Sequence, residues 1–224
     1  MTRTPHRRTG PAGPVVARRT VLQVGLGLGV VAALPLDARP AAAVPVRRAV
    51  PAVAVATVAV EGSGARTTLQ TGAATTVLLH VARRFHYEVR PVDHAVTGYG
   101  DVAPDAPAHE AHHLTGTAID IDPGAFPPGA RDGLYPHELT VVRDVLADCE
   151  GLVWWGGDAT DVPCEGHFHL VPAPDDPAVA RLAQRLVRSH GRPGGAGTGE
   201  DLVFTPDRLE HARAVSLDLS TRTS

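Results

Sequence analysis

Two short segments of the 224-residue chain, His109 to Asp122 and Asp158 to Leu170, concentrate the side chains that can bind a metal ion. In Ala118-Ile119-Asp120-Ile121-Asp122, strand alternation sends Ile119 and Ile121 to one face and Asp120 and Asp122 to the other. In His167-Phe168-His169-Leu170 the same rule turns Phe168 and Leu170 inward and both histidines to the opposite face. Two such strands would share a face of carboxylates and imidazoles. Two histidines and one carboxylate suit a zinc ion held by three protein ligands, with a fourth position left to water, which is the catalytic kind of site. The same donors form the facial triad of iron oxygenases. The spacing from His113 to Asp120 and the lack of a cosubstrate signature argue against that use.

His113-Leu114-Thr115-Gly116-Thr117-Ala118-Ile119-Asp120 resembles the S-x-H-x-x-G-x-A-x-D signature of zinc D-Ala-D-Ala carboxypeptidases and L-alanyl-D-glutamate endopeptidases. Trp155-Gly156-Gly157-Asp158 followed by His167-Phe168 looks like that family's W-G-G-D and its closing H-F strand. Two separated motifs in the right order are more specific than either alone. The resemblance covers roughly residues 71–172 and implies the fold shared by hedgehog domains and DD-peptidases. It further implies His113, Asp120 and His167 as zinc ligands, and peptidoglycan stem peptides as the substrate.

In that family a carboxylate three residues before the last histidine ligand takes the proton of the attacking water; here that position is Cys164. Glu165 shares a strand face with His167 and is the candidate general base, with Asp161 in reserve. His169, on the same face, either donates a hydrogen bond to the developing oxyanion or replaces His167 as the ligand. Two further departures bear on substrate binding: the family's serine is Ala111, and no arginine stands beside Tyr99. A non-catalytic zinc module that binds wall peptides is the alternative function.

The amino terminus carries an address. Arg18-Arg19-Thr20-Val21-Leu22, an apolar run to Leu36 and a small-residue stretch ending at Ala43 resemble a twin-arginine export signal over residues 1–43. That run is shorter than the roughly 20 apolar residues of a spanning helix and contains Gly25, Gly27, Gly29 and Pro35, so no stable membrane span is expected once the signal is removed. An exported location, extracellular or at the cell wall, follows. In that compartment Cys149 and Cys164, the only two cysteines, are expected to form a disulfide. The competing use of Cys164 is as a thiolate ligand in a tighter, structural zinc site.

The remaining chain must position these residues. Residues 44–66 read as a linker with one short strand at 53–60, residues 67–190 as the zinc peptidase domain, and residues 191–224 as a flexible polar extension. Val77, Val81 and Phe85 at four-residue intervals predict an amphipathic helix from Thr71 onward. Further helices are predicted over 136–149 and 177–189, strands over 87–92 and 152–155, and a long loop over 94–109. Of Trp154 and Trp155, one is expected in the core and one beside the cleft. Asp158 is expected to cap a turn, and Asp122 is either a partner of a ligand or an exposed strand-end carboxylate. His80, His86, His94, His137, His190 and His211 read as ordinary histidines. The sum is an α+β fold, a small antiparallel sheet flanked by helices. With net charge -3 and no basic stripe, nucleic acid is not an expected partner.

Overall fold

The computed structural model describes residues 53–92, 96–190 and 201–222, all within the unit Ala49–Ser224. The expected twin-arginine signal over residues 1–43, residues 44–52 of the expected linker, His94 and the glycine-rich stretch 191–200 lie outside the described residues. No helix among the described residues is long and apolar enough to cross a membrane.

The architecture is α+β, with two small antiparallel sheets and several helices. Strands β1 (Val55–Ala59) and β2 (Arg66–Gln70) form a hairpin in register Val55↔Gln70. This corrects the linker expectation, in which only one strand was foreseen. Glu61-Gly62-Ser63-Gly64 is the hairpin turn, and Thr67 and Leu69 alternate inward from the second strand.

The second sheet has the order β3-β4-β6-β5, from strands β3 (Val96–Thr97), β4 (Ala118–Ile121), β5 (Val153–Trp155) and β6 (His167–Leu170). Ile119 pairs with Phe168 and Trp155 with Phe168 across neighbouring strands, and these side chains fill the core together with Ile121 and Leu170. Asp120 pairs directly with His167, and Ala118 with His169. The alternation seen in both segments therefore exists, and the pairing register sets carboxylate against imidazole.

Helix α1 (Ala73–Arg84) buries Val77, Leu78, Val81 and Ala82, as its periodicity predicts. Helix α2 (Pro136–Asp148) starts where the Tyr135 backbone N–H donates to Glu138 at 2.7 Å, and α3 (Pro177–Ser189) starts on an Asp176 cap, with Ala178 N–H donating to its carboxylate at 2.7 Å. Residues Phe85–Val89 form a π-helical turn, not the strand expected over 87–92. The wide turn places Phe85 edge-on to Phe126 and Phe168 (centroids 6.1 and 6.3 Å apart) while Glu88 stays against Arg84. Local β propensity lost to these tertiary contacts.

The carboxyl-terminal segment is also corrected: α4 (Pro206–Arg222) is a helix packed on α2. Arg208 binds Asp144 and Asp148 (2.8 Å from Nε to Asp144, 3.2 Å to Asp148), and these same carboxylates hold Arg84, which is only 1% exposed (2.8 and 3.0 Å). His80 faces Asp148 at 3.6 Å. Burial pushes the Asp148 carboxyl up, but the His80 imidazole beside it and the charges of Arg84 and Arg208 overcome that and hold it at about 2. A carboxyl depressed in the folded state stabilises the protein above its ordinary pKa, and that contribution fades as pH falls from about 4 towards 2. Asp148→Asn is therefore expected to cost about 2 kcal/mol in denaturant unfolding at pH 7, with the gap to wild type closing near pH 2. An equal gap at both pH values would contradict this.

Candidate metal centre

The site begins in a turn of 3-10 helix over Ala108–Thr115, where the sequence had suggested extended chain. Residues three apart eclipse on such a helix, so Glu110 and His113 project the same way. Gly116 ends the turn at φ 69°, where a Cβ would stand 2.7 Å from the Gln70 backbone nitrogen, so the chain can swing into β4 only through glycine. At the end of β3, Gly98 lies against β2 so closely that a Cβ would sit 2.2 Å from the Thr68 carbonyl oxygen. The Gly98 carbonyl is thereby placed to accept from His113 Nδ1 at 2.7 Å.

That bond sets the tautomer: with its hydrogen on Nδ1, His113 presents a bare Nε2 lone pair. This Nε2 is buried with no hydrogen-bond partner, 3.2 Å from Asp120 Oδ2 and 3.5 Å from Glu110 Oε2. Opposite, His167 Nδ1 lies 2.8 Å from Asp120 Oδ1 and 3.6 Å from Glu110 Oε1, and its Nε2 is 3.0 Å from His169 Nδ1. One donor atom from each of Glu110, His113, Asp120 and His167 falls within 4.8 Å of the others, so this group can hold a metal ion. Here His167 Nδ1 donates to the Asp120 carboxylate; with a metal ion bound, that proton would sit on Nε2 and be donated to His169, and both imidazoles would then offer lone pairs to one point between two carboxylates. A cation at that point would take up the imidazole lone pairs and offset the charge of two neighbouring carboxylates.

The two carboxyls are not alike. Burial pushes Asp120 up, but His113 at 3.2 Å and the hydrogen bond from His167 outweigh that and hold it far below the carboxylate range. Burial, with Asp120 nearby, raises Glu110. His113 is lowered by burial and raised more by Asp120, for a net rise. The rings around the group stay neutral, because burial lowers His109 to about 4 and His169 to about 2. His112 stacks on His169 (3.9 Å, 9°), and Trp154 leans over His169 at 4.9 Å while His109 lies between Trp154 and His167. Trp155 is the core tryptophan, donating from Nε1 to the Glu165 carbonyl at 2.7 Å, and Arg143 lies over its ring and grips Asp158.

The structure thus brings His113, Asp120 and His167 together, and places His169 behind His167. Glu165 it does not bring in. Its carboxylate accepts the backbone N–H groups of Asp132 (3.0 Å) and Gly133 (2.8 Å) and so pins another loop. The alternation used to aim it stops at the start of β6, since Cys164-Glu165-Gly166 is a turn. Asp161 is exposed and outside the group, and Asp122 leaves the strand at φ 46°. Glu110 was not foreseen; its signal was the three-residue spacing to His113, hidden because the segment read as loop and strand.

The expected disulfide is absent, and both cysteines are free and buried. Cys149 packs in the core at the end of α2, whereas Cys164 sits before β6 with its thiol on the Phe126 carbonyl at 3.7 Å. Burial, with Asp120 and Glu110 near, pushes the Cys164 thiol up to about 12, which keeps it neutral and unsuited as a thiolate ligand. The group opens into a cleft of about 400 Å³ that Glu110, His113, Asp120 and Cys164 line, with the loop after β3 as its far wall.

No family model matches this chain, and neither a curated protein nor a solved structure does.

Proposed function

We propose that the chain is a zinc-dependent peptidase that hydrolyses peptide bonds in peptidoglycan stem peptides, of the D-Ala-D-Ala carboxypeptidase or L-Ala-D-Glu endopeptidase type, and that it acts after twin-arginine export. The observation that carries this reading is the buried, unpartnered His113 Nε2 converging with His167 Nδ1 and Asp120 beside a second carboxylate, at the floor of a cleft. Two nitrogens and one carboxylate are a donor set for zinc with a position open. The two ordered motifs from His113 to Asp120 and from Trp155 to Phe168 support the peptidase class, and they alone suggest the wall substrate.

Zinc in such a site supplies Lewis acidity that acidifies a water and polarises a peptide carbonyl. The chain's own groups do the rest. His113 and His167 are held in register by the Gly98 carbonyl and by His169, and Asp120 completes the ligand set from the strand between them. Glu110 lies slightly farther from both imidazoles than Asp120 does and is the more basic carboxylate, which suits it to accept the water's proton and return it to the leaving amine. Water adds across the C–N bond, leaving a carboxylate and an amine. The cleft volume is within the range of small-ligand pockets.

The test is metal content and muropeptide digestion by the purified chain, with products identified by mass. One zinc per chain, cleavage lost on chelation and restored by zinc, is the expected result. Iron as the bound metal, with no peptide cleaved, would move the site to the oxygenase class, and bound zinc without cleavage would make it a wall-peptide binding module.

A further inference from the structure

The cleft above the metal group carries a charge pattern that separates the two peptidase types. Among the described residues lining it, Asp101, Asp105, Glu110 and Asp120 are acidic, and no arginine is present. A divalent ion held by neutral His113 and His167 and by Asp120, with Glu110 beside it, leaves the inner site near zero charge. Asp101 and Asp105 stand in addition to that balance. Both are exposed on the loop between β3 and the 3-10 turn, and neither is paired with a cation among the described residues. The buried His113 Nε2, unpartnered on the lining of the same cleft, places the metal position there, and the scissile carbonyl must approach that metal.

Resting on the peptidase reading, we propose that this cleft selects peptides carrying an ammonium group near the scissile bond, such as a diamino acid side chain with its amine free, and disfavours peptides that end there in a free carboxylate. The chain is then an endopeptidase. A carboxypeptidase must bind the terminal carboxylate of its substrate, and a guanidinium is the group that does this with two parallel hydrogen bonds. This cleft offers carboxylates in its place, and like charges at an entrance suppress the wrong ligand as opposite charges favour the right one.

The test uses the zinc-loaded full chain and synthetic stem peptides in matched pairs. One pair differs only in a free or amidated carboxyl terminus, the other only in a free or acetylated side-chain amine. The amidated and free-amine members are expected to have the higher kcat/KM, by roughly 5- to 20-fold for two exposed charge pairs. The ratio should shrink in high salt and in the double variant Asp101→Asn, Asp105→Asn, whose zinc content stays at one per chain. Preference for the free carboxyl terminus, or ratios that neither salt nor the double variant changes, would overturn the proposal. If zinc is bound and no peptide is cut, the peptidase reading fails. Calorimetric titration of the same pairs then tests the cleft alone, and equal affinity for free and acetylated amines would overturn it.

Discussion

His113→Ala is expected to empty the site. The alanine removes the one buried nitrogen whose tautomer the Gly98 carbonyl sets, and leaves Glu110 and Asp120 with a single imidazole between them. Replacing a residue that merely supports a ligand costs about 10- to 100-fold in metal affinity, so loss of the ligand itself should exceed about 100-fold. Zinc content measured after desalting should fall from one per chain to near zero, and hydrolysis should vanish with it. His137→Ala, which replaces an exposed histidine outside the group, should leave both unchanged. Full zinc retention in His113→Ala would show that the metal binds elsewhere.

Glu110→Gln and Glu165→Gln separate the general base proposed under the peptidase reading from the one that strand alternation suggested. An amide at position 110 keeps the size and the polar contacts of the side chain but cannot take a proton, so turnover should fall by roughly 10²- to 10⁴-fold while zinc stays bound through His113, Asp120 and His167. The Glu165→Gln protein is expected to turn over substrate much as wild type does. Its cost should appear in stability, about 1 kcal/mol, because an amide accepts from only one of the Asp132 and Gly133 N–H groups now satisfied by the carboxylate. Single-turnover rates, zinc content and melting temperature on the two proteins decide it. Lost turnover in Glu165→Gln with normal activity in Glu110→Gln would return the base to Glu165.

Several elements were legible before any fold was known because their signal is local. The helices α1, α2 and α3 follow from apolar residues spaced to one face and from starts marked by Pro136 and by the Asp176 cap. In β4 and β6 the period of two already separates Ile119, Ile121, Phe168 and Leu170 from Asp120, His167 and His169. That separation is why three of the four residues now found together could be named from their spacing and motif.

What local pattern missed has a common cause. Arg84 and Arg208 look like solvent-facing charges along their own helices, and the carboxylates of α2, with Glu88 beside Arg84, explain the burial of the first and the docking of α4. The π-helical turn at Phe85 answers to Phe126 and Phe168, not to its neighbours in the chain. Cys149 and Cys164 are a plausible pair by count alone, yet one is packed in the core and the other sits against Phe126.

By itself, then, the amino-acid order determined which residues have the chemistry to hold a metal ion and which face of a strand or helix each must occupy, because periodicity is a property of a few consecutive residues. Only the tertiary structure decided which second carboxylate joins the histidines and Asp120. Glu110 reaches the group because a 3-10 turn eclipses it with His113, and Glu165 is withdrawn because two backbone N–H groups from a distant loop, those of Asp132 and Gly133, claim it first.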